Sequence, residues 1–135
     1  MNKEIINTIS DFNSTLLSLA FNISSICPNS IIGTNIKDIE KTINRKVNFT
    51  KFIDLFCIKV LQYKNEIDEG KESFFLGKDY KKDLEDHASD ALNHVITMKS
   101  IWGDLSRENK NIVILNMQIL CELAQQYFNY IKETS

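Results

Sequence analysis

Apolar residues step by four, then three, then four again along three separate stretches of this chain, without a miss. Near the start the series is Ile5, Ile9, Phe12, Leu16, Leu19, Ile23 and Ile26. A second series runs Leu84, Ala88, Ala91, Val95, Met98, Trp102 and Leu105, and a third runs Val113, Met117, Leu120, Ala124, Tyr127 and Ile131. That rhythm keeps one stripe of a helix turned toward a neighbour, and no strand can use it. Ile6, Leu17 and Ala20 widen the first stripe beyond a coiled-coil seam, which favours a globular bundle.

Start and stop signals divide the chain. The first helix is expected over residues 2–26 and must end before Pro28, which cannot continue the ladder and disfavours helical geometry at Cys27. Residues 28–34 read as a connector, with Gly33 at a position of special φ. A short helix over 35–46 carries Ile36, Ile39 and Ile43, with Thr34 or Asn35 as its cap. Asn48 is expected to cap a central helix to Ile67, with Phe49, Phe52, Phe56, Val60, Tyr63 and Ile67 as its stripe. Leu55 and Ile58 fall on its far side, so this helix reads as surrounded by others. Gly70 stops it. Residues 73–77 read as a helical turn or tucked loop, a fourth helix as 79–105, and a last helix begins after Ser106. Ile112, Leu115 and Ile119 give that helix a second apolar side. The expectation is an all-α fold, a compact helical bundle of four long helices plus one short helix, in a single domain over 1–135.

Composition agrees and narrows the function. A chain of 135 residues buries roughly two thirds of its unfolded surface and folds without disulfide or metal. Four Gly and one Pro are too few for the turns of a sheet protein. A net charge of −2 argues against a general nucleic-acid binder. Lys41, Arg45, Lys46 and Lys51 cluster, but Asp38, Glu40 and Asp54 interleave with them, which reads as a solvated helical face. Cys27, Cys57 and Cys121 are odd in number, far apart and set among apolar residues, as reduced buried thiols would be. No h-region follows Lys3, and no apolar run approaches the ~20 residues of a membrane span. A soluble, cytoplasmic protein is expected.

Residue patterns that carry chemistry are scarce. His87 and His94, near Asp83, Asp86 and Asp90, are the most metal-like group. The two histidines lie ~10.5 Å apart along a helix axis, too far for one ion, and sit on the shoulder of the stripe. No catalytic residue, metal ligand or cofactor site is assigned: phosphate-loop, dinucleotide and nucleophile-elbow motifs are missing. Asp68-Glu69-Gly70 fails as a calcium loop, because Leu76 stands where the bidentate Glu is required. What remains is aromatic: Phe74, Phe75, Leu76, Tyr80 and Trp102 are either core at the bundle end or an exposed anchor for a protein partner. The polar, nearly uncharged outer face of the first helix is a second contact candidate.

Three segments carry a resemblance. Phe52-x-x-x-Phe56-x-x-x-Val60-Leu61-x-Tyr63-Lys64-x-x-Ile67-x-x-Gly70, Phe74-Phe75-Leu76-x-x-Asp79-Tyr80, and Trp102-x-x-Leu105-x-x-x-Asn109-Lys110 resemble short helical proteins encoded by large nucleocytoplasmic DNA viruses. The Ile, Asn and Lys bias of the chain is similar to that of their AT-rich genomes. Those proteins mostly lack an assigned activity, so no catalytic residue carries over, and the resemblance implies only a setting in the host cytoplasm, a virus factory or the virion. The expected function is a non-enzymatic viral structural or assembly component. Its partners would be protein, either a second copy or other virion proteins, with no direct nucleic-acid contact. Trp102-Gly103 is also similar to the groove motif of Bcl-2-like apoptosis inhibitors, although Ile101 and Asp104 replace the flanking Asn and Arg. That alternative implies a groove-binding regulator of cell death. A metal-dependent bundle enzyme is the third reading.

Overall fold

The computed structural model describes residues 2–71 and 102–134. These form an all-α arrangement with no strand among them. The helices are α1 (Lys3–Ile26), α2 (Ile31–Thr34), α3 (Ile36–Asn44), α4 (Lys51–Lys59), α5 (Lys64–Asp68) and the final α6 (Arg107–Thr134). Two 3-10 turns, Lys46–Asn48 and Leu61–Tyr63, join α3 to α4 and α4 to α5. The fourth helix expected over 79–105 lies outside the described residues except at its end, where Trp102 and Leu105 are buried.

The two long helices form the central pair, and their seams are the ones the spacing marks. α1 opens on Asn2, whose side chain accepts from the Ile5 amide at 2.9 Å, and closes on Cys27, whose amide donates to Ile23 O at 2.7 Å. α6 opens on Ser106, whose hydroxyl accepts from the Asn109 amide at 3.1 Å. Ile5, Ile9, Phe12, Leu16, Leu19 and Ile23 of α1 are buried, as are Val113, Met117, Leu120, Ala124 and Tyr127 of α6. α2 and α3 pack on α1, α5 packs on α6, and α4 lies against both long helices. Phe12 and Phe56 meet edge to face at the centre, with ring centroids 5.2 Å apart and planes at 77°.

The central stretch differs from its sequence reading. Residues 49–67 are not one helix: α4 ends at Lys59, the chain tightens into a 3-10 turn, and α5 begins at Lys64. No Gly or Pro marks the break. On the α6 side, Gln118 Nε2 donates to the carbonyls of Ile67 and Asp68 at 3.1 and 3.3 Å, holding the last turn of α5. Gly70, at φ 70°, ends it as expected. Its amide reaches Ile67 O at 2.9 Å and the Lys71 amide reaches Glu66 O at 3.0 Å, the pair of bonds that closes a helix over a left-handed residue.

Two further expectations are corrected. Asn48 does not cap α4; its side chain donates to Thr42 O at 2.8 Å and so satisfies the end of α3 instead. Gly33 does not have positive φ. It is glycine for space, because a Cβ there would lie 2.5 Å from the carbonyl oxygens of both Cys27 and Pro28.

Candidate functional site

Of the side chains expected to meet a partner, Phe74, Phe75, Leu76 and Tyr80 lie outside the described residues, as do His87 and His94. Trp102 is described and is 2% exposed, which places it in the core and not at an open anchor. Lys110 Nζ stands 5.7 Å from its ring centroid, so the indole packs under a cation.

Polar groups gather along the contact of α4 and α5 with α6. The Tyr127 hydroxyl donates to Asp54 Oδ1 at 2.6 Å, and the Cys57 thiol lies 3.4 Å from Ala124 O as a weak donor. Lys64 pairs with Asp68 and stands 3.8 Å from Glu122. Burial and the nearby Asp54 carboxylate push the Cys57 thiol up to about 12. Burial likewise pushes Cys121 up to about 12, and burial with the hydrogen bond to Asp54 raises Tyr127. Both thiols are therefore held protonated, the state in which sulfur is a poor nucleophile and a poor metal ligand. Among the described residues no three His, Cys, Asp or Glu side chains converge on a metal position.

This seam is structural glue, and two expected results follow. Tyr127→Phe removes a hydrogen bond to a carboxylate and lowers stability by about 1–2 kcal/mol, read by denaturant unfolding. Raising the pH also destabilises the fold. Above about pH 9 the unfolded thiols lose protons that the folded Cys57 and Cys121 keep to about 12, so the unfolded state binds fewer protons and gains relative to the folded one. The unfolding midpoint is expected to fall steadily between pH 9 and 12, and a flat profile across that window contradicts the assignment.

The surface feature that sequence reasoning missed lies on α6. Leu115 is 57% and Ile119 41% exposed, one turn apart, with half-buried Ile112 a turn earlier. Leu115 is two residues from buried Met117, roughly 160° around the helix, so the stripe faces away from the core. Its sequence signal was the second apolar side of this helix, which reads equally well as buried. A companion surface is the outer side of α1, where Ser14, Ser18, Phe21, Asn22 and Ser25 are exposed. No charged residue occurs from Phe12 to Ile36. No helix among the described residues is long and apolar enough to cross a membrane. Comparison with protein-family models, curated proteins and solved structures finds no match.

Proposed function

We propose that the chain is a non-enzymatic protein–protein interaction module that associates with a second copy of itself through the outer face of α6. The observation that carries this reading is the exposure of Leu115 and Ile119 opposite the buried seam. The face is complementary to itself. In an antiparallel pair with its two-fold axis beside Met117, Leu115 of one copy meets Ile119 of the other. In the same register Glu108 faces Gln126 and Glu122 faces Ile112, so no carboxylate meets a carboxylate. A parallel arrangement would stack Glu108 on Glu108 and Glu122 on Glu122.

The size of the contact sets its strength. Covering four half-exposed aliphatic side chains stabilises by roughly 4 kcal/mol before association costs, so this patch acting alone binds no more tightly than a millimolar dissociation constant. The association is accordingly weak and concentration-dependent. The resemblance to short helical proteins of large DNA viruses supplies the proposed setting, an assembly component of a virus factory or virion, where local concentration is high. The aromatic run Phe74-Phe75-Leu76 with Tyr80 stays a proposed additional contact.

Amide chemical shifts followed over a dilution series test the face. Shifts that move with concentration are expected on α6 from residue 108 to residue 126, and Leu115→Asp is expected to abolish them. Concentration-dependent shifts confined to other surfaces, or untouched by Leu115→Asp, overturn the assignment. The protected thiols of Cys57 and Cys121 support the non-enzymatic part of the reading.

A further inference from the structure

The stretch from Lys37 to Lys51 holds five cations, Lys37, Lys41, Arg45, Lys46 and Lys51, against two anions, Asp38 and Glu40, in a chain whose net charge is −2. All five cationic residues are exposed. Lys37 and Lys41 lie four apart on one side of α3 and Arg45 follows at its C-terminal cap, while Ile39 and Ile43 face the core. Lys41, Asn44 and Arg45 line a shallow depression of about 550 Å³ with Glu40.

Two observations separate this surface from an ordinary solvated helix face. The neighbouring helix is neutral over most of its length: α3 packs on α1, whose charged residues Lys3, Glu4 and Asp11 lie in its first three turns, and the sequence is neutral from Phe12 to Ile36. That neutral stretch of α1 supplies no carboxylate to offset the cations, and Asp54, beyond Lys51, accepts the hydroxyl hydrogen bond of Tyr127 on α6. The second is Val47. It sits on the 3-10 turn between Lys46 and Asn48 and is 83% exposed, an aliphatic tip among Arg45, Lys46 and Lys51.

We propose that the α3–α4 connector is a docking surface for an anionic lipid membrane, with Val47 entering the headgroup region and the surrounding lysines and Arg45 lying among the acidic headgroups. An apolar tip ringed by cations suits that boundary, where long basic side chains keep their charges at the headgroups. A nucleic acid offers phosphates but gains nothing from Val47, and no exposed aromatic side chain stands in the stretch to stack on a base. This surface lies on different elements from the α6 stripe and does not depend on self-association.

Each cation near an acidic leaflet contributes about a fivefold gain in partitioning, so the net excess of three gives roughly a hundredfold preference for acidic over neutral vesicles. The test is cosedimentation of the full chain with phosphatidylcholine vesicles made with and without phosphatidylserine. Binding is expected with phosphatidylserine alone, fading as salt shortens the screening length from about 10 Å at 0.1 M to about 3 Å at 1 M. Lys41→Gln with Arg45→Gln is expected to weaken it about 25-fold. Val47→Asn is expected to weaken it with an unchanged salt dependence. All three side chains are exposed, so the variants keep the wild-type helical circular dichroism. Equal binding to both vesicles, no binding at low salt, or variants that bind as the wild type overturn the proposal. So does retention on a short RNA without vesicle binding. Leu115→Asp serves as the internal control, since it is expected to bind vesicles normally while failing to self-associate.

Discussion

Phe56→Ala lowers the stability of the fold by about 3–5 kcal/mol, a large share of the 5–15 kcal/mol available to a single domain. Phe56 has no solvent exposure and sits where α4 meets both long helices. Its ring meets that of Phe12 edge to face with centroids 5.2 Å apart, an arrangement that contributes roughly 0.5–1.5 kcal/mol beyond the area it buries. Truncation removes that contact and leaves a cavity beside Phe12, in a core where Phe12, Phe52 and Ile53 are already packed to zero exposure and have little freedom to collapse. The expected drop in melting temperature is about 15 °C. Phe56→Leu, which keeps much of the volume, is expected to lose less than half as much. A loss below about 1 kcal/mol for the alanine variant would place Phe56 outside the core and contradict the packing described here.

Gly33→Ala is the second large effect, and its cause is backbone, not side chain. The added methyl would sit 2.5 Å from Cys27 O, 2.5 Å from Pro28 O and 2.6 Å from Pro28 C. None of these atoms swings away easily. The Cys27 amide is tied to Ile23 O at 2.7 Å, Pro28 has a ring-fixed φ, and the Ser30 hydroxyl donates to Cys27 O at 2.6 Å while accepting from the Gly33 amide at 3.1 Å. The whole connector between α1 and α2 must shift to admit one carbon, at about 3 kcal/mol. Alanine's better helix propensity returns about 1 kcal/mol at most. Gly103→Ala is the matched control: a Cβ there meets nothing within 4 Å, so its stability stays within about 0.5 kcal/mol of wild type. Equal melting temperatures for the two variants would show that the connector is loose.

The sequence exposes those parts of the fold whose signals are local. α1 is legible almost to the residue because an unbroken seam and Pro28 mark the same segment, although Asn2, read as its first residue, is its cap. Ser106 and Gly70 are read correctly for the same reason: each acts on its own turn. What sequence conceals is set by distant partners. Asn48 stands between two helices, and only the folded chain reveals that its amide serves the end of α3. The 3-10 turn at Leu61–Tyr63 replaces a helix whose apolar stripe continues through it, so no change of period announces it. Gly33 shows glycine without showing whether φ or space requires it.

The exposed apolar residues follow the same rule. Ile58, read as covered on the far side of a central helix, is 66% exposed. Leu115 and Ile119 carry the same apolar signal as buried residues, and periodicity cannot state which of two apolar sides a bundle covers. For Trp102 the sequence leaves core and contact open, and the structure buries it beneath Lys110.

Self-association is tested most directly by mass in solution across a wide range of concentration. The monomer is 15.6 kDa. The weight-average mass is expected to climb from that value toward twice it as the concentration enters and passes the millimolar range, and to stay at the monomer value for Leu115→Asp. A wild-type chain that remains monomeric at every concentration contradicts it.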